Sequence, residues 1–248
     1  MRDESMLSYR FRLYPSKTNP VAEAEKPPVK ARSSSHGDGH STNCVTMSSP
    51  KRPEKYEVPN WDYIYTLCIR VARLVEHSGY CPDLIVAVSR GGWIPGRILS
   101  DVLGLPEVAT VRVEYYKDIY KTRSKPEITQ PVSTDVNGKK ILLVDDIADS
   151  GNSLKIVREH LFERGAKEVK ICTLYHKPWS VVIPDFKARN TDAWVCFPHE
   201  IFETMGKIYS RLRKQGKTKL EIKRKLLSIG IEPHLVKRFF LRASRNVD

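Results

Sequence analysis

The order of apolar and polar positions predicts alternating strands and helices from about Tyr56 onward. Asn60 suits a helix N-cap ahead of Ile64, Leu67, Val71, Leu74 and Val75, which recur at helical spacing. Pro82 and Asp83 break the chain, and Leu84–Val88 reads as a buried strand. Ile98, Val102 and Leu103 mark a further helix, whose first turn accommodates Pro95. Val108–Glu114 alternates like a strand, whereas Tyr115–Asp135 is polar, basic and without a convincing period, and reads as a long loop. Ile141–Val144 is an unbroken apolar run, the mark of a strand buried on both faces. The helix after it carries Leu154, Val157 and Leu161 on one face and ends at Gly165. Val169–Leu174 gives another strand, and Trp194–Phe197 is compatible with one more. Strands alternating with helices predict an α/β fold, with a twisted, mainly parallel sheet covered by helices on both faces.

Three stretches follow from this pattern. Residues 1–54 are rich in Ser, Pro, Lys and Thr and have little to bury, so they are expected to be a disordered or spurious extension, with Met47 as an alternative start. A transit peptide is disfavoured by Asp3, Glu4, Glu23 and Glu25. Residues 55–204 form the expected folded domain, and residues 205–248 a small basic helical appendage. In the appendage Lys219–Ile229 and His234–Leu241 read as short helices, with Gly230 suiting a C-terminal cap and Pro233 the next helix start.

Charge and cysteines narrow the class. The formal charge is +13, and the tail from Met205 holds seven Lys and six Arg against three acids, so the rest of the chain is close to neutral. The tail's charge and short turn suit phosphates, as in a helix-turn-helix. Basic helices that pack on a core or a neighbouring subunit are commoner, so nucleic acid is the minor expectation. The five cysteines (Cys44, Cys68, Cys81, Cys172, Cys196) are scattered without CxxC spacing, which implies reduced thiols and a cytoplasmic location. No apolar run reaches the roughly 18–20 residues of a membrane span, and no signal-peptide apolar core is visible, so no membrane partner is expected.

The chemistry concentrates in ILLVDDIADSGNSL, residues 141–154. Asp145 and Asp146 follow the buried strand, at the carboxyl end where open α/β sheets place ligands. Ser150, Gly151, Asn152 and Ser153 then offer hydroxyls and backbone N–H groups at a helix start, a ready phosphate cradle. Carboxylates beside such a cradle suggest a ligand bearing hydroxyls, a phosphate and Mg²⁺. A second loop, Val88-Ser89-Arg90-Gly91-Gly92, lets the backbone approach a ligand closely while Arg90 adds charge. In TLYHKPWSVVIPDF (173–186) and TDAWVCFPHE (191–200), Lys177 could donate to a carbonyl and Trp194 could stack a base. Taken singly, a Lys after a strand is usually solvated and a Trp is usually core.

Together these segments resemble the type I phosphoribosyltransferases, in particular the bacterial xanthine-guanine and archaeal 6-oxopurine enzymes, over about residues 56–200. The resemblance implies their fold and the substrates phosphoribosyl pyrophosphate and a 6-oxopurine base, with Mg²⁺ as cofactor and a homodimer or homotetramer as assembly. It implies that Asp149–Ser153 hold the 5′-phosphate and that Asp145 and Asp146 hold the ribose hydroxyls and the metal. Ser89, Arg90, Gly91 and Gly92 would take the pyrophosphate, with a cis peptide between Ser89 and Arg90. Lys177 would donate to purine O6, Trp194 would stack on the ring, and the backbone near Val195 would read the base edge. Asp149 would face purine N7 as the acid/base group; helix capping is its plainer alternative. The chain departs from the pattern at Ser150, where Thr is usual, at His199, where Trp is frequent, and in the loop 115–135. That loop, with Tyr115, Tyr116, Lys117, Lys121, Arg123 and Lys125, is either a closing lid or simply solvated. Two rivals share the fold. One is a nucleotide-sensing regulator acting on nucleic acid through its tail; the other is a transferase for adenine, uracil or orotate, of which the Lys177 donor disfavours adenine.

Overall fold

Leu84–Val88 and Ile141–Val144 contain no polar side chain, so both faces of each must be covered, and the chain lays them side by side at the centre of a sheet. A computed structural model of the protein describes residues 55–116 and 125–245, all within one compact unit. Along the chain come β1 (Tyr56–Glu57), α1 (Trp61–His77), β2 (Leu84–Ser89), α2 (Trp93–Val102), β3 (Val108–Tyr116) and β4 (Lys125–Gln130). Then follow β5 (Lys140–Ala148), α3 (Asn152–Glu163), β6 (Glu168–His176), β7 (Phe186–Asn190) and β8 (Trp194–Val195). Three helices, α4 (Ile201–Lys214), α5 (Lys219–Ser228) and α6 (Pro233–Arg245), complete the order.

Six strands form one sheet in the order β4-β3-β2-β5-β6-β7, parallel throughout except for the antiparallel edge strand β4. This is the expected α/β architecture, and the side-chain alternation of the central strands shows why it is stable. Ile85, Leu142, Val144, Cys172 and Leu174 face α1 and α2, where they join Ile64, Val71 and Leu99 in one buried cluster. Leu84, Val86, Val88, Ile141, Leu143 and Ile171 face the other way and join Leu154, Val157 and Leu161 of α3. A third cluster lies under the C-terminal helices: Met205, Ile208, Ile222, Leu226, Ile231 and Val236 are buried with Cys196, against Tyr56, Val58 and Trp194. Asn60 caps α1 as its side chain accepts from the Tyr63 N–H at 2.8 Å, and Thr218 and Glu221 form a reciprocal capping box at α5.

The structure departs from the pattern reading at the edges. Tyr115–Asp135 is not one long loop: β3 continues to Tyr116 and β4 returns beside it, with Glu114 opposite Glu127. An edge strand covered on one side needs few apolar residues and tolerates Pro126, so KPEITQ has too short a pattern to register. Residues 117–124, which include Lys117, Lys121 and Arg123 of the loop that sequence leaves as either a lid or solvated, lie outside the described residues, as do residues 1–54. β7 was not anticipated, since only Phe186 and Ala188 of its five residues are buried. The Trp194–Phe197 stretch gives only the two residues of β8, and these pair with β1 and stay out of the main sheet. Helix α4 was also missed, although Ile201, Met205, Ile208 and Leu212 keep helical spacing.

Candidate active site

β5 delivers Asp145 and Asp146 to the sheet's carboxyl end because the apolar run before them is locked between β2 and β6. Asp146 is buried and Asp145 half-buried. The Asp145 carboxylate accepts the Asp146 N–H at 3.0 Å, and the Asp146 carboxylate accepts from His199 Nε2 at 3.0 Å. Burial, and next the charge of Asp146, push the Asp145 carboxyl well above its usual range. His199 stacks on Phe197 with ring centroids 5.0 Å apart, so the residue that departs from the family pattern anchors Asp146.

The loop after β2 closes on these acids. Its Ser89–Arg90 peptide is cis, as the resemblance implies. A Cβ on Gly91 would lie 2.6 Å from an Asp146 oxygen and 2.7 Å from an Asp145 oxygen, so the Gly91 backbone presses directly against the pair. Gly92 does a different job. It starts α2, and a Cβ there would lie 2.3 Å from the Val144 carbonyl, so its smallness lets the helix start pack on the sheet. Arg90 reaches across to Glu203 of α4 at 2.6 Å. Hydrogen bonding from Lys207, then the neighbouring Arg90, holds the Glu203 carboxyl below its ordinary value.

Between β5 and α3, Gly151 adopts φ +79°, which turns the chain into the helix. It is the α3 N-cap residue, so capping by Asp149 is not what the structure shows. Tyr115 from β3 bridges the loop: Ser153 Oγ donates to its hydroxyl at 3.0 Å, and Ser150 Oγ lies 3.4 Å away. A cavity of about 310 Å³ is lined here by Tyr115, Asp145, Asp149, Ser150, Gly151 and Ser153. Asn152 is the first α3 residue and stands outside that lining.

At the other end of the cleft, Lys177 leaves β6 but is not solvated; it is 4% exposed and donates to the Ala193 carbonyl. Burial lowers its pKa, opposed by the charges of Asp149, Asp192 and Glu57. Its ammonium lies 5.1 Å from the Trp179 ring centroid, and the Trp179 indole N–H donates to Asp149 at 3.2 Å. Trp194 is half-buried against Tyr56, 6.5 Å between centroids, with the Arg211 guanidinium 5.5 Å from its ring. Trp194 and Cys196 donate their N–H groups to the carbonyls of Lys55, just before β1, and of Glu57 in β1. By strand alternation, the N–H and C=O of Val195 point away from β1.

One cleft of about 880 Å³ gathers Ser89, Arg90, Gly91, Asp145, Asp146, Asp149, Ser153, Lys177, Trp194 and Val195. Of the candidates, Gly92 and Asn152 alone line neither this cleft nor the cavity at the β5–α3 turn. The cleft also contains Lys55, Trp179, Glu200, Glu203 and Lys207, which pattern reading did not single out. Burial, then the charge of Asp146, raises the Glu200 carboxyl. For Glu203 and Lys207 a signal existed in the overlooked α4 spacing; for Trp179 and Lys55 none did. The cleft thus offers a hydroxyl-lined hollow at the start of α3, paired carboxylates, a cation-lined mouth and an aromatic, donor-bearing pocket.

Comparison with known proteins agrees. Residues 59–202 match the phosphoribosyl transferase domain family. The xanthine-guanine phosphoribosyltransferase of Gluconobacter oxydans is 32% identical over 157 residues, covering 62% of this chain and 90% of that protein. Its counterpart in Idiomarina loihiensis is 35% identical over 119 residues, 47% of this chain and 70% of that one. The crystal structure of a purine phosphoribosyltransferase from Pyrococcus horikoshii superposes with a TM-score of 0.54 at 34% identity, covering 58% of this chain and 93% of that one. The chain therefore belongs to the phosphoribosyl transferase domain family, as a type I phosphoribosyltransferase related to the xanthine-guanine and purine enzymes.

Proposed function

We propose that the protein transfers the 5-phosphoribosyl group of phosphoribosyl pyrophosphate to N9 of a 6-oxopurine, guanine or hypoxanthine first and xanthine as a further candidate, in purine salvage. The bond from ribose C1 to the pyrophosphate oxygen breaks, the N9–C1 bond forms, and a purine nucleoside monophosphate and pyrophosphate leave. The observation that carries this is the convergence of Asp149, Lys177 and Trp194 at one end of the cleft that holds Asp145 and Asp146. Because the centre at C1 becomes cation-like, the protein's work is positioning and charge control.

In this reading the Asp149–Ser153 loop takes the 5′-phosphate on the α3 start, and Asp145 and Asp146 grip the ribose hydroxyls. Asp149, steadied by the Trp179 indole, accepts the proton at N7 as N9 attacks. Lys177 has three donors, one of which goes to Ala193, so others remain for O6. Trp194 supplies the stacking face, and the outward-pointing backbone of Val195 reads the base edge. The two adjacent carboxylates suit Mg²⁺. Such an ion keeps several waters and takes substrate oxygens, so it needs only one or two protein carboxylates. When bound, it would offset the charge of the departing pyrophosphate. Among the described residues no helix is long and apolar enough to cross a membrane. Cys68, Cys81 and Cys172 are free thiols, which suits a reducing, cytoplasmic setting.

Pyrophosphate release measured across guanine, hypoxanthine, xanthine, adenine, uracil and orotate tests the reading. Turnover with 6-oxopurines alone is expected; a preference for adenine, or none with any base, contradicts it. Asp149→Asn should lower turnover about 10²–10⁴-fold with folding intact, and unchanged turnover removes the acid/base role. A regulator that only senses a nucleotide has no need of Asp149 beside Lys177 and Trp194.

A further inference from the structure

Helix α4 brings two charged side chains, Glu203 and Lys207, into the cleft wall beside Arg90. One Glu203 oxygen takes the Arg90 guanidinium at 2.6 Å and the other takes the Lys207 ammonium at 2.9 Å. Two cations therefore share one carboxylate at the mouth where Gly91 meets Asp145 and Asp146. Arg90, Gly91, Glu200 and Glu203 also line a second, more apolar cavity of about 870 Å³, so this ion pair forms part of the wall between the two hollows. The side chains of Arg90, Glu203 and Lys207 are 69%, 37% and 52% exposed, so an anion entering the cleft reaches them without moving core atoms.

We propose that Lys207 is a second diphosphate-binding cation, and that Glu203 is a placeholder holding Arg90 and Lys207 together until the diphosphate of the substrate replaces it. The inference rests on the phosphoribosyl pyrophosphate reading and assigns that site a residue from the C-terminal helices. Its physical basis is competition. An exposed carboxylate–cation pair contributes little, because water solvates both partners well. A diphosphate brings more negative charge and more acceptor oxygens than one carboxylate, and it can engage the planar Arg90 fork and the Lys207 point charge together. Glu203 occupies both cations while the cleft is open, so a diphosphate must displace it to reach them. No bond is made or broken in the exchange.

A purely structural ion triad would behave differently, since removing either end would loosen α4 in the same way. The experiment uses the full chain, with steady-state kinetics and titration of inorganic pyrophosphate in Mg²⁺. Lys207→Gln should raise KM for phosphoribosyl pyrophosphate and weaken pyrophosphate binding roughly ten- to hundredfold, with KM for the base and the melting temperature close to wild type. Lys207→Arg should restore most of the affinity. Glu203→Gln should act in the opposite direction, lowering KM for phosphoribosyl pyrophosphate because the incoming anion no longer has a rival. An unchanged KM in Lys207→Gln overturns the proposal, and so does a rise in both variants together. A wild-type chain that binds no phosphoribosyl pyrophosphate contradicts the transferase reading itself, and this is seen before any substitution is made.

Discussion

A Cβ added to Gly151 would lie 2.5 Å from Ser180 Oγ and 2.8 Å from the backbone nitrogen of Val182, at a positive φ that L side chains rarely adopt. Neither neighbour yields readily: Ser180 Oγ donates to the Val182 carbonyl at 2.9 Å and accepts from the Val182 N–H at 3.3 Å, and the adjacent Val181 N–H donates to the Ser150 carbonyl at 3.0 Å. Gly151→Ala should therefore cost at least about 1–2 kcal/mol in thermal unfolding and weaken phosphoribosyl pyrophosphate binding, whereas an unshifted melting temperature would contradict the packing argument. Most of the candidate site was legible at this scale, because acids, glycines and hydroxyls packed into one strand-to-helix turn have few other uses. What stayed hidden was what only folding joins. Trp179 reaches Asp149 from another loop, and nothing in HKPWS distinguishes that indole from an ordinary surface Trp. The close packing of Gly92 on Val144 was hidden too, since Val144 belongs to a strand over fifty positions away in sequence.

Among elements, one carboxylate ties the short β1–β8 pair to the main sheet. Glu57 accepts from the Tyr175 hydroxyl at 3.0 Å and the Thr191 hydroxyl at 3.2 Å, and lies 3.4 Å from Arg189 Nε, so it ties β1 to β6 and β7. Tyr175 is fully buried, and losing its acceptor leaves a hydroxyl without compensation. Glu57→Ala should cost about 1–3 kcal/mol by chemical denaturation and raise KM for the base, because β8 carries Trp194 and Val195. A variant as stable as wild type, with unchanged base affinity, would show that β1 is dispensable. The central strands were readable because a segment buried on both faces must be apolar throughout. β1, β4 and β7 were not, and β8 only as part of a longer apolar stretch, because an edge or two-residue strand is defined by its partner's backbone and carries little pattern of its own.

At the scale of the whole molecule, the C-terminal helices share a core with the base-end wall. Leu226 is fully buried in a cluster that includes Cys196 and touches Tyr56, Val58 and Trp194. Leu226→Ala should cost about 2–5 kcal/mol and also weaken base binding, while a loss of stability with base affinity intact would mean that the helices are mere cover. Composition marked the tail as basic, and spacing gave two of its helices, but neither could show which surface they cover. The central claim is that a phosphorylated sugar docks where β5 hands over to α3, gripped by the two neighbouring acids. Calorimetric titration of the full chain with phosphoribosyl pyrophosphate in Mg²⁺ tests it most directly. The account predicts saturable binding at one site per chain, abolished in an Asp145→Asn, Asp146→Asn double variant that remains folded; no heat of binding in wild type, or equal binding in the variant, would contradict it.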